Sequence, residues 1–268
     1  MISANFGLWW SGAKLSYLRY LTFKTLRHFH PHSRIQLFTS KKYNKDKCTG
    51  ISDLEFLRPD EVQKDYMPSL HALDVEIIDK NSMSKFFPYQ QADLYRWVFL
   101  RDHGGIYLDP DQIILQSFQS LPLKDYDFMY SSYKVDSPFS FNGEFSPIGV
   151  LGGNGNSKII KHICSVILSY DKSNDYNAMG VLMMRDVKNK IDMSSAFNAP
   201  PQYFYPAPIC SYMNGVYDGT LQIQKDNYSL HWYGGFSPSQ DFNRKYTEEF
   251  AKTSNDTISR FLRSKRII

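Results

Sequence analysis

Cysteine is scarce in this 268-residue chain. Cys48, Cys164 and Cys210 are odd in number, far apart, and form no C-x-x-C pair. That argues against a disulfide framework or a structural zinc site and fits a reducing compartment, the cytoplasm of a bacterium or of a virus-infected host. Long apolar runs are lacking too: none approaches the roughly 18 residues of a membrane span. The opening Met1–Trp10 has no basic n-region and breaks on Gly7, so no secretory leader is expected. In a cytosolic chain the two glycosylation-type triplets, Asn227-Tyr-Ser229 and Asn255-Asp-Thr257, carry no meaning. There is no internal repeat and no Pro/Gly/Ser-rich linker that would separate two domains. Neither sign of charge dominates. With 31 basic and 27 acidic residues the net charge is +4, which excludes an acidic disordered chain and tolerates an anionic partner without requiring one.

What is present is the balance of an ordinary globular domain, 42% hydrophobic and 22% charged. Aromatics are abundant at 16%, many with the polar handle that sugar- and base-stacking sites use, although a bulky core explains most rings. Hydrophobic patterning predicts a strand over Ile2–Trp10, a helix over Leu15–Leu26 that stops near Pro31, and strands at Arg34–Phe38 and Val75–Ile78. A polar loop, Lys41–Thr49, follows the second strand. Gln90–Asp102 reads as a helix closed by Gly104-Gly105, followed by strands at Ile106–Asp109 and Gln112–Leu115. In the second half a strand is expected at Phe128–Tyr130, helices at Ser157–Tyr170 and Met179–Lys188, and a late strand at Tyr228–Tyr233. A helical C-terminal stretch of low amphipathicity is expected over Phe242–Leu262. The order implies an α/β fold with a Rossmann-like mixed sheet flanked by helices, in a single domain.

The densest chemical signal is residues 92–111, ADLYRWVFLRDHGGIYLDPD. Asp93 and Arg96 stand three apart on a helix and so share one face. The glycine pair turns the chain, Ile106-Tyr-Leu108 threads a strand, and Asp109 and Asp111 emerge at its C-terminal end, where open α/β sheets place ligands. Two carboxylates one residue apart suit a hard divalent cation with positions left open for diphosphate oxygens.

This block resembles the donor-site signature of GT-A glycosyltransferases with a DXD motif. It is most similar to the sugar-binding DXD superfamily of α-1,6-mannosyltransferase-like and α-1,4-galactosyltransferase-like enzymes, and more distantly to the clostridial glucosylating toxins. The resemblance implies a GT-A fold over residues 1–268, with a nucleotide-sugar donor half (1–115) and an acceptor half with a C-terminal helix (116–268). It implies a metal-dependent, retaining transfer of a sugar from a nucleotide-sugar donor, a UDP-sugar first, to an acceptor hydroxyl, with Mn²⁺ or Mg²⁺ as cofactor. Asp93 would contact sugar hydroxyls, Arg96 the sugar or phosphate, Asp109 the ribose or the metal through water, and Asp111 the metal. Asp93, Arg96 and Asp111 are thus the catalytic candidates, with Tyr107 between them on the donor side. Leu8-Trp-Trp-Ser-Gly12 resembles the family's hydrophobic-Trp element and makes Trp10 the candidate for stacking on the base. The usual Ile-Pro-Lys-hydrophobic-Ile-His lead-in is absent. Leu230-His-Trp-Tyr233 resembles the late His-x-Trp segment, with His231 a third metal ligand and Trp232 a cover for the diphosphate. The acceptor is expected to be a glycan or lipid-linked sugar; a hydroxymethylated base in DNA and a non-catalytic nucleotide-sugar-binding scaffold are the alternatives.

Other patterns carry less. His28, His30 and His32 straddle a proline break and need not converge on a metal. Gly152–Lys158 lacks P-loop spacing and is expected to cap the following helix or to line the acceptor side. Lys41–Lys47 reads as a solvated loop, and Arg260–Arg266 as a solvated basic helix end.

Overall fold

The structure, a computed structural model, describes residues 2, 5–12, 14–40, 64–81, 85–134, 143–170, 175–207 and 213–268. The polar loop expected at Lys41–Thr49, Cys48 and Cys210 lie outside the described residues.

The chain opens with strand β1 (Phe6–Trp10), helix α1 (Tyr17–Phe29) and strand β2 (Ile35–Thr39), followed by β3 (Val75–Asp79). Ser16 caps α1 by accepting from the Arg19 N–H, and Arg27 and His28 sit in its last turn. Helix α2 (Pro88–Asp102) starts with proline at its first position, where the missing N–H costs nothing. It ends through Gly104, whose φ of +64° is the left-handed turn that favours glycine. Strands β4 (Gly105–Leu108) and β5 (Gln112–Ile114) follow, then β6 (Phe128–Ser131), the short hairpin β7 (Tyr133–Lys134) and β8 (Glu144–Phe145), and β9 (Val150–Gly153). Helices α3 (Lys158–Val166) and α4 (Met183–Lys188) precede β10 (Ala196–Ala199); α5 (Met213–Tyr217) and β11 (Ser229–His231) lead into α6 (Ser237–Lys245), α7 (Glu248–Thr253) and α8 (Thr257–Ser264).

Seven strands form one mixed sheet in the order β10-β6-β9-β4-β1-β2-β3. All neighbours are parallel except β9, which runs antiparallel to both β4 and β6. The expected α/β architecture, a mixed sheet flanked by helices in one domain, is what the chain adopts. The period of two along β1 divides the core: Phe6, Leu8 and Trp10 join the cluster on the α1 side, while Trp9 joins that on the α2 side. Gly7 lies under α2, and a Cβ there would sit 2.6 Å from the Phe99 ring, so glycine lets helix and strand meet. The same alternation in β4 sends Ile106 and Leu108 to the α1 side and Tyr107 to the α2 side. The next residue in that phase is Asp109.

The Gly152–Lys158 segment caps the following helix as expected, through Ser157, while its first two glycines are strand residues of β9, between β4 and β6 in the sheet. Two expectations are corrected. The Phe242–Leu262 helix is three short ones, because Tyr246 and Asp256 turn the chain and Thr247 and Asp256 start new caps. The last of these is strongly one-sided, burying Ile258, Phe261 and Leu262, so low amphipathicity does not hold there. Strand β10 carried no sequence expectation.

Candidate active site

The parallel strands leave β1 to β2 on one side and to β4 on the other. This is the switch point at whose C-terminal edge open α/β sheets bind ligands. A cleft of about 120 Å³ lies there. Trp10 and Ser11 line it from the end of β1, Asp93 and Arg96 from α2, and Asp109 and Asp111 from the turn between β4 and β5. Tyr89 and Tyr176 stand at the same cleft with their rings 5.1 Å apart, Tyr176 being 49% exposed.

Asp93 and Arg96 form the intrahelical ion pair that their spacing allows, Nη2 to Oδ1 at 2.8 Å, and Arg96 Nη2 also lies 3.5 Å from Asp109 Oδ1. Arg96 donates through Nη1 to the Ile148 carbonyl at 2.6 Å and sits 4.9 Å above the Tyr107 ring. The guanidinium is thus held from four directions. Burial pushes the Asp93 carboxyl up to about 7 even though Arg96 pulls it down. Burial also raises Asp109 against the pull of Arg96. Asp111 behaves oppositely. Burial pushes it up, but His231, Arg19 and the Gly234 amide hold it well below the ordinary carboxylate range.

The late histidine reaches the site through sheet register. Strand β11 pairs antiparallel with β5 so that His231 faces Gln112, and the Trp232 N–H donates to the Asp111 carbonyl at 3.0 Å. His231 Nε2 therefore lies 3.0 Å from Asp111 Oδ1, an oxygen with no hydrogen-bond donor. The other oxygen, Oδ2, accepts from the Gly234 N–H at 2.7 Å. Asp109, Asp111 and His231 bring ligand atoms within 4.8 Å of one another, the one such cluster of three among the described residues. Gly149 backs it: a Cβ there would lie 2.9 Å from Asp109 Oδ2 and 3.2 Å from His231 Cε1. A divalent cation bound at about 2.1 Å puts neighbouring ligands about 3 Å apart, and two carboxylates with one imidazole suit Mn²⁺ or Mg²⁺. The unpartnered Asp111 oxygen and the glycine cradle fit such an ion.

The remaining candidates lie deeper. Trp10 is 5% exposed, donates through Nε1 to the Lys14 carbonyl, and carries Arg19 4.2 Å above its ring. Trp232 is fully buried, is not among the residues lining the cleft, and meets the other side of Arg19 at 5.1 Å. Tyr107 is fully buried beneath Arg96. Sequence reasoning missed Arg19, Gly149 and Gly234, for which the pattern of residues holds no signal, since each is recruited from a distant element. The three N-terminal histidines do not gather: His30 is buried while His28 and His32 are exposed.

Residues 19–128 match the family of glycosyltransferase sugar-binding regions containing a DXD motif. The matched stretch runs from within α1 through the Asp93–Arg96 helix and the Asp-x-Asp turn. A curated relative, the uncharacterized glycosyltransferase L373 of Acanthamoeba polyphaga mimivirus, is 28% identical over 152 residues, 52% of this chain and 56% of that protein. The chain therefore spans a little over half the length of that relative. Similar solved structures include the glycosyltransferase GlyE of Streptococcus pneumoniae TIGR4 (15% identity, 99% of this chain and 64% of that one, TM-score 0.47) and the PaToxG glycosyltransferase (16%, 69% and 68%, TM-score 0.46). No helix among the described residues is long and apolar enough to cross a membrane.

Proposed function

We propose that the protein is a metal-dependent glycosyltransferase that moves a sugar from a nucleotide-sugar donor, a UDP-sugar, to an acceptor hydroxyl with retention at the anomeric carbon. The observation that carries this reading is the convergence of Asp109, Asp111 and His231 beside the Asp93–Arg96 pair at one cleft. Asp111 and His231, with Asp109, would hold Mn²⁺ or Mg²⁺; when bound, that ion supplies Lewis-acid neutralisation of the departing diphosphate. Asp93 accepts hydrogen bonds from donor sugar hydroxyls. Arg96 fixes Asp93 and Asp109 relative to each other, so that the carboxylates are aimed before the donor arrives. Trp10, Tyr107 and Trp232 support the donor half from below, Trp10 with an edge toward the base. The acceptor, a glycan or lipid-linked sugar, is assigned to residues 116–268, which share the same sheet edge through β6 and β10. There the hydroxyl is held against the anomeric carbon chiefly by positioning. Scarce, scattered cysteine supports a cytoplasmic setting.

The test is hydrolysis of a panel of nucleotide sugars with and without Mn²⁺, followed by glycan acceptors. Metal-dependent release of nucleoside diphosphate from one donor is expected. Metal-dependent nucleotide binding without turnover would make the chain a binding scaffold instead, and neither binding nor turnover would overturn the donor-site reading.

A further inference from the structure

All but two of the residues lining the cleft fall between Trp9 and Asp111. The exceptions are Tyr176 and Gly235, so among the described residues Tyr176 is the one side chain that the second half of the chain sends there. Its place is set by the segment that carries it. The Asp175 carboxylate accepts from the Asn177 N–H at 2.8 Å. The Asn177 carbonyl accepts from the Gly180 and Leu182 N–H groups at 3.3 and 3.0 Å, opening a wide π-helical turn over Ala178–Leu182. Met179 anchors that turn in the core on the α2 side. Gly180 lets it lie against Asp93: a Cβ there would come 3.2 Å from Asp93 Oδ2 and 2.5 Å from Ile148 Cδ1. The Tyr176 ring meets Tyr89 at 5.1 Å, and Tyr89 stacks on Phe87 at 5.5 Å, so a row of three rings runs out to the cleft mouth. Tyr176 ends that row half open to solvent. Burial at its hydroxyl end, with Asp93 and Asp109 close by, pushes that group's pKa up, so the hydroxyl stays protonated.

We propose that Tyr176 binds the acceptor, stacking on a neutral sugar ring whose hydroxyl is thereby presented to the anomeric carbon of the donor. The proposal rests on the glycosyltransferase reading above and adds to it a contact for the acceptor. Asp93 is the residue assigned to the donor sugar, and the turn that carries Tyr176 packs against it, so a ring at the mouth reaches the next sugar out. One face of a pyranose is a patch of C–H bonds. An aromatic ring at a wet boundary covers that patch while its polar end keeps a hydrogen-bonding group in reach. Charge at the cleft favours a neutral acceptor. Asp93, Asp109 and Asp111 line it and, among the described residues, no lysine does. Its two arginines, Arg19 and Arg96, are 6% and 4% exposed and lie inside the cleft rather than at its mouth. A nucleic-acid backbone would bring phosphates whose binding takes basic side chains at the rim.

The experiment measures transfer from whichever nucleotide sugar the wild type hydrolyses. The acceptors are methyl glycosides of glucose, galactose, mannose and N-acetylglucosamine, and duplex DNA carrying 5-hydroxymethylcytosine. Wild type, Tyr176→Phe, Tyr176→Leu and Tyr176→Ala are compared, with folding checked by thermal melt. Losing the stacked ring should raise the KM for the best glycoside by about 3- to 10-fold in Tyr176→Ala and Tyr176→Leu, more than it raises the KM for the donor. Tyr176→Phe, which keeps the ring, should stay closer to the wild type. If Tyr176→Ala melts early, Tyr176→Leu decides. An acceptor KM that does not rise, or equal rises for donor and acceptor, would overturn the role. Hydrolysis with no transfer to any glycoside, whether or not the DNA is modified, would overturn the sugar assignment. A wild type that hydrolyses no nucleotide sugar would instead overturn the glycosyltransferase reading itself, and this proposal with it.

Discussion

At the scale of single residues, Asp111 has one oxygen fixed by the Gly234 amide and the other left without a donor beside His231. That division suits one oxygen for structure and one for a cation. Asp111→Asn keeps the shape but replaces an anionic ligand with a neutral amide. It should lower metal-dependent turnover by at least about 100-fold while the melting temperature stays near that of the wild type. Near-normal turnover in Mn²⁺ would place the donor site elsewhere. His231→Ala removes one of the three candidate ligands. Activity should fall and recover in part with excess Mn²⁺, since mass action refills a weakened site and does not repair a lost packing contact. A Mn²⁺ titration of both proteins checks this; identical midpoints would take His231 out of the metal shell.

At the scale of elements, β4 carries the Asp-x-Asp turn, and its first residue is under constraint. Gly105 has φ of +116°, and a Cβ there would collide with the Asn5 carbonyl oxygen. Gly105→Ala should cost about 1–3 kcal/mol in chemical denaturation, and should weaken Mn²⁺ binding because Asp109 moves with the strand. The end of α1 offers a second element-level test. His30 is 1% exposed, its Nε2 accepts from the Phe118 N–H at 3.2 Å, and burial lowers its pKa to about 4. The folded pKa lies below the unfolded value of about 6.5, so between these the unfolded chain binds more protons and stability falls as pH drops. The part due to His30 should be fully present above pH 6.5 and decline by about 3 kcal/mol on acidification to pH 4. Urea unfolding of wild type and His30→Gln at pH 7, 5.5 and 4 should show the gap between them closing by that amount. A gap independent of pH would mean the imidazole is not held neutral.

At the scale of the whole molecule, a donor bound in the cleft would tie α1, α2, the β4–β5 turn and β11 together, four elements from distant parts of the chain. Mn²⁺ with UDP at 100 times its dissociation constant should add about 2.7 kcal/mol of stability and raise the melting temperature by about 5 °C, with no such rise in Asp111→Asn. Thermal scans with metal alone, nucleotide alone and both would check it. The local half of this site was legible in the sequence. Helix spacing put Asp93 and Arg96 on one face, glycines closed that helix, and an alternating strand delivered Asp109 toward it, because these relations reach over a few residues and follow fixed periods. Strand β9, two glycines within a short apolar run, gave no periodic signal, and the C-terminal helices could not be separated without seeing their caps. His231 was named from a short resemblance, but what brings it to Asp111 is the pairing of β11 with β5 across more than a hundred residues. Arg19, Gly149 and Gly234 were invisible for the same reason. Register and packing between segments far apart in the chain set those contacts, and no local pattern of residue types encodes which distant surfaces will meet.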